Sequence, residues 1–182
     1  MAEWIVMVGL PASGKTTRAK VLAEQHRAVR ITPDDWVMPL YGEPGGGGRR
    51  YILEGRLVDV ALQTVRLGTN VILDFGCWTR DERSGLRWLA RDAGVACRLI
   101  YLPLTREEQL ARMRDRDRVD GAIRATAQDI EHQWSLWQPP EAAELNGGEI
   151  PGPPDGWGSW WEWVQQRWPT ISRTAPARAT DI

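Results

Sequence analysis

The chain has 182 residues, 42% of them hydrophobic and 26% charged, enough for one ordinary domain with a buried core and too few for two full-size catalytic domains. A net charge of −1 and a pI near 6.2 exclude the global basic field that drives nonspecific nucleic-acid binding and favour a small substrate, while leaving local arginine clusters open. Cys77 and Cys97 make no C-x-x-C pair, His26 and His132 stand apart, and no apolar run reaches membrane-spanning length or follows a cationic leader. The expectation is therefore a reduced, soluble, cytoplasmic protein without a zinc site or disulfide framework.

The first predicted element is a strand over 4–9, from the apolar run Trp4-Ile-Val-Met-Val8. Gly9-Leu-Pro11-Ala12-Ser13-Gly14-Lys15-Thr16 follows and fits G-x-x-x-x-G-K-[ST], with Thr17 continuing into an amphipathic helix predicted over 15–26. The glycines let backbone N–H groups turn inward around a triphosphate, Lys15 reaches the β- and γ-phosphates, and the Thr16 hydroxyl takes a place on Mg²⁺. Lys15 and Lys20 are the only lysines beside twenty-one arginines, so a lysine here points to a task for a compact point charge and not a planar fork. The motif predicts ATP or GTP binding.

A strand over 28–32 ends at Ile31-Thr-Pro33-Asp34-Asp35, which sets two carboxylates on the edge of a parallel sheet where ligands bind. Either Asp34 or Asp35 could take the proton from an attacking hydroxyl and orient its oxygen toward the γ-phosphate, and one of them could cap a helix over 35–41. Gly42-Glu-Pro-Gly-Gly-Gly-Gly48 is expected to be a mobile loop, either a linker or a flap over the substrate. A helix over 49–67 leads to Asn70 and a strand over 70–75, whose last residues carry Asp74, an acid placed to reach Mg²⁺ or hold the acceptor.

Thr79 reads as the N-cap of a helix over 81–93, with Arg83 and Arg87 one turn apart on what reads as a solvated face, and Gly94 ends it. A strand over 95–102 and Thr105, with Glu107 and Glu108 in an acidic first turn, open a helix over 105–118. Along it Arg112 and Arg116 share one face, as do Arg114 and Arg118. One pair could close over a triphosphate, or all could be ion-paired on the surface with Asp115 and Asp117. A last helix is predicted over 123–137. Beyond Gln138 the chain turns rich in Pro, Gly and Trp, with seven of eleven tryptophans between Trp134 and Trp168. This cluster is read as packing over an exposed face of the core, ahead of a frayed tail from Arg173, with stacking on a ligand as the alternative.

The alternation of strands and helices predicts an α/β fold, a mostly parallel sheet between two helical layers. The ordered set of phosphate loop, Asp34, Asp74 and the arginine-bearing helix resembles the P-loop kinase group that includes phage-type polynucleotide 5′-kinase, chloramphenicol phosphotransferase and zeta-type toxins, over roughly residues 4–140. The resemblance implies a nucleoside-kinase-like core over 1–140 with a lid around 105–137, and a C-terminal segment over 141–182 packed on it. It implies ATP and Mg²⁺ as cofactors, Lys15 on phosphates, Thr16 on the metal, Asp34 as general base, and Arg112 and Arg116 as lid arginines, with Arg116 facing the transferring phosphate. Two departures stand out. Val37 occupies the place of an arginine that in polynucleotide kinases helps hold the acceptor, and a clear final strand with an adenine-contacting loop is missing. The expected activity is transfer of the γ-phosphate to a hydroxyl of a small molecule. The alternatives are a 5′-hydroxyl polynucleotide kinase, and a nucleotide-dependent switch whose tryptophan surface binds a partner protein.

Overall fold

The computed structural model describes residues 2–116 and 126–172. In chain order the elements are β1 (Glu3–Val8), α1 (Lys15–His26), β2 (Val29–Ile31), α2 (Asp34–Tyr41), a 3-10 turn (Pro44–Gly48), α3 (Arg50–Arg66), β3 (Val71–Gly76), α4 (Arg80–Asp92), β4 (Ala96–Tyr101), α5 (Arg106–Arg116), α6 (Ala127–Leu136), α7 (Ala142–Leu145) and α8 (Trp160–Arg167). The strands form one parallel sheet in the order β2-β3-β1-β4, with Trp4 opposite both Val71 and Cys97.

The position of β1 explains its composition. A central strand of a parallel sheet is covered on both faces, so alternate side chains both need apolar partners. Trp4, Val6 and Val8 enter a cluster with Leu57, Val58 and Ala61 of α3 and Leu86 and Leu89 of α4. Ile5 and Met7 enter the opposite cluster with Ala19 and Leu22 of α1. Three layers result, with every strand's C-terminal end on one edge, where the loops after β1, β2 and β3 meet.

Local signals act where the sequence places them. Thr79 caps α4 reciprocally with Glu82, and Thr105 and Glu108 do the same for α5. Asn70 bridges the main chains of Glu3 and His26, fixing the start of β3 against β1. Val37 is buried in the core. No helix among the described residues is long and apolar enough to cross a membrane.

Two expectations need correction, and a third stretch gains a local form. Neither Asp34 nor Asp35 caps α2: Pro33 holds the cap position without a side-chain bond, and both acids lie in the first turn, where the helix dipole favours them. The glycine-rich stretch adopts a 3-10 turn, closed by Arg49 on Glu43 and over the Tyr41 ring at 4.6 Å. Arg83 and Arg87 do not form a solvated face, since both are buried. The reason is that 138–172 covers α4. Arg83 forks onto Glu144 at 2.8 and 2.9 Å and donates to the Gln138 carbonyl at 2.8 Å, while Arg87 donates to the Gly148 carbonyl.

The tryptophans of this segment pack as large rings do, edge to face, with Trp163 5.5 Å from Trp160 and 6.1 Å from Trp168. The segment also crosses α3 closely: a Cβ on Gly55 would meet the backbone nitrogens of Thr170 and Ile171 at 3.2 and 3.1 Å. Asp117, Arg118, the start of the helix expected over 123–137 and the tail from Arg173 lie outside the described residues.

Candidate active site

The loop between β1 and α1 owes its shape to residues free of side-chain constraint. Gly9 has φ +151°, and a Cβ there would sit 2.8 Å from the Leu102 carbonyl, so only glycine fits. Gly14 turns the chain into α1 at φ +91° and Ala12 follows the left-handed path at φ +66°. Ser13 is buried, its hydroxyl without a hydrogen-bond partner among the described residues. Lys15 Nζ donates to the Leu10 carbonyl at 2.8 Å, which folds the side chain back across the loop.

This loop floors a cleft of about 970 Å³. Pro11, Ala12, Gly14, Lys15, Thr16 and Thr17 line its nucleotide end, while Gly9 and Ser13 shape the loop from behind. Arg112 of α5 lines the cleft and donates to the Ala12 carbonyl of the loop at 3.2 Å. The backbone of Arg116 lies in the last turn of α5, and its side chain is outside the described residues. Gln109, fully buried on the same helix, clasps α5 and α6 to the loop. Its amide donates to the Pro11 carbonyl at 3.3 Å and to Gln133 at 2.8 Å, and its carbonyl accepts from the Trp134 indole at 2.7 Å.

Asp74 lies in the second half of β3 and lines the same cleft as the loop, buried, with its carboxylate accepting from Arg30 Nη1 at 3.2 Å. Burial pushes its carboxyl above the ordinary range, although the neighbouring Thr16 hydroxyl and the Lys15 and Arg30 cations pull the other way. No group of three or more His, Cys, Asp or Glu side chains among the described residues makes a protein-only metal cage. The pair of Thr16 hydroxyl and Asp74 carboxylate instead fits Mg²⁺, a hard ion that takes one or two protein oxygens and completes its shell with phosphate and water.

The two acids after β2 part company. Asp35 is exposed, pairs with Arg30 at 2.5 Å and does not line the cleft. Arg30 reaches across to Asp74 at 3.2 Å. Asp34 does line the cleft, together with the phosphate loop, and pairs with Arg50 at 2.8 Å. Beyond it the wall comprises Arg50, Tyr51 and Glu54 of α3, Trp78 and Glu82 around the start of α4, and Arg167 of α8. Sequence reasoning missed most of this wall. Arg30, which stands outside the wall but holds Asp35 and Asp74, carries a signal, as a cation within a three-residue parallel strand. Glu54 and Arg167 carry none, because they read as ordinary polar positions of surface helices.

Residues 5–140 match the protein family described as an AAA domain. The chain belongs to that family. A comparison with curated protein sequences gives no significant match. Among solved structures, a protein of Chloroflexus aurantiacus designated a kinase is 18% identical, with 91% of this chain and 93% of that one covered at a TM-score of 0.61. Kti12 of Chaetomium thermophilum, in complex with ADP-AlF3, is 18% identical over 93% and 99% of the two chains at 0.60. A sugar kinase from Janibacter is 20% identical over the full length of both at 0.57. At these identities the likeness is one of fold, the fold of P-loop kinases, as the motif order implied.

Proposed function

We propose that this protein is an ATP-dependent phosphotransferase that moves the γ-phosphate to a hydroxyl of a small molecule. The observation that carries the reading is that Asp34 lines one cleft with the phosphate loop, next to a wall poor in net positive charge. Among the described residues this wall holds three carboxylates, Asp34, Glu54 and Glu82, against two guanidiniums, Arg50 and Arg167, each already paired. Such a wall suits a neutral or cationic hydroxyl compound and disfavours the phosphate backbone of a polynucleotide. Solved proteins of this fold designated kinases, and one holding ADP-AlF3, lend support.

In this reading Lys15 and the loop's N–H groups hold the β- and γ-phosphates, and Arg112, with Arg116, offsets charge on the transferring group. Thr16 and Asp74 would hold Mg²⁺, which would supply neutralisation of phosphate charge. Asp34 accepts the hydroxyl proton as the acceptor oxygen bonds to the γ-phosphorus. The bond from that phosphorus to the β–γ bridging oxygen breaks, and ADP leaves with the electron pair.

The test is the fate of label from γ-labelled ATP, incubated with a small-metabolite extract and separately with a 5′-hydroxyl oligonucleotide. Label is expected in a small molecule, with transfer lowered about 10²–10⁴-fold by Asp34→Ala, the usual worth of a general base, while ATP binding persists. Label on the oligonucleotide would overturn the acceptor class. Label only in free phosphate would favour the switch alternative.

A further inference from the structure

The acceptor end of the cleft is wired to the C-terminal segment by a chain of charged and polar contacts. Asp34 accepts from Arg50 Nη1 at 2.8 Å, and Arg50 Nε donates to Glu54 Oε1 at 2.8 Å. Glu54 is 4% exposed, and its other oxygen accepts from the Trp168 indole at 3.1 Å and faces Arg167 Nη1 at 3.3 Å. Arg167 is in turn held on Glu82 Oε1 by two nitrogens, at 2.5 and 3.0 Å, with its guanidinium 4.3 Å from the centre of the Tyr51 ring. Trp168 is buried in the core, so the far end of the chain of contacts is anchored.

Asp34 needs such a brace. It is exposed and sits in the first turn of a short helix, and its ion pair with Arg50 is the contact that fixes its direction. A general base must be aimed within hydrogen-bond reach of the proton it takes, and an exposed carboxylate left to rotate spends much of its time elsewhere. Arg50 can supply the aim because its own guanidinium is gripped from behind. Burial opposes its charge, but Glu54 and Asp34 more than offset this and keep it firmly protonated.

We propose that Arg50 is the positioning residue for Asp34, and that Glu54, clamped by Trp168 and Arg167 of the C-terminal segment, holds Arg50 in place, so that residues beyond the matched family region are part of the catalytic apparatus. The inference rests on the phosphotransferase reading for its kinetic meaning. The wiring itself has a readout independent of transfer.

The kinetic arm compares wild type, Arg50→Met, Asp34→Ala and the double variant with the acceptor found in the labelling experiment. Arg50→Met should lower kcat by about 10²-fold, the cost of a misaimed catalytic group, with KM for ATP unchanged, and Arg50→Lys should recover part of the loss. In the Asp34→Ala background the same change should have no further effect, since a residue acting through Asp34 has nothing left to aim. Equal losses in both backgrounds, or an unchanged kcat, would overturn the proposal while leaving the phosphotransferase reading intact.

The second arm follows backbone amide exchange in wild type and Glu54→Gln. Exchange should rise in 34–41 as well as in 160–168. A rise confined to 160–168, or none, would overturn the proposal even for a protein that transfers no phosphate at all.

Discussion

Arg83→Met would test whether the C-terminal segment is held by a buried ion pair or by its tryptophans alone. Arg83 is wholly buried and makes two bonds to Glu144, one to the Gln138 carbonyl and weaker ones to the carbonyls of Trp78 and Cys77 at 3.3 and 3.4 Å. Methionine fills much of the volume but leaves the Glu144 carboxylate, only 4% exposed, without its cation. Removing one partner of such a pair costs about 3–5 kcal/mol. Urea unfolding at pH 7, followed by tryptophan fluorescence, should show this as a lower midpoint with an unchanged slope. The pH dependence gives a second check. Burial alone would raise the Glu144 pKa, but the Arg83 bonds and the Glu141 N–H bring it below 4.5 in the native protein. The pair's contribution is therefore present above the unfolded value of 4.5 and lost as pH falls through the lower folded value. In the variant, burial without a partner raises the folded pKa, so the penalty should shrink as pH falls from 7 toward 4.5. Replacing both residues, Arg83→Met with Glu144→Gln, should recover part of the loss. A loss below about 1 kcal/mol at pH 7, or one that does not shrink toward acid, would refute the reasoning and assign the docking to the rings.

Other predictions concern the phosphate loop and the thiols. Gly9→Ala places a Cβ 2.8 Å from the Leu102 carbonyl at a positive φ and should cost more than about 1 kcal/mol, with loss of the thermal shift that ATP confers. Gln109→Leu removes the clasp between α5 and the loop and strands the Trp134 indole N–H. It should cost about 1–3 kcal/mol in urea unfolding and weaken ATP binding measured by titration. Cys97 is pushed up to about 12 and Cys77 is also raised, both chiefly by burial. At pH 8 neither should react readily with a disulfide reagent until denaturant is added.

The phosphate loop, the four strands and the acids at the strand ends were legible because their signals are local. β1 announces itself by five successive apolar residues, Gly9 and Gly14 by backbone conformations that other residues resist, and Asp34 and Asp74 by falling where apolar runs stop. The same reading took Arg83 and Arg87 for a solvated face because their spacing is that of any surface helix, and spacing does not say what lies above it. Residue pattern alone left Asp34 and Asp35 as alternatives, and only the family resemblance singled out Asp34; in the structure Asp35 pairs with Arg30 and does not line the cleft.

By itself the sequence determined the nucleotide end of this protein, since a phosphate loop is built from contiguous residues whose backbone preferences need no distant partner. Only the tertiary structure decided the rest of the cleft wall. The contacts behind it join residues far apart in the chain, Glu54 to Trp168 across 114 positions, and so do those that dock the C-terminal segment on α4, Arg83 to Glu144 across 61. A buried charge declares its role only when its partner arrives, because the partner is what makes burial affordable.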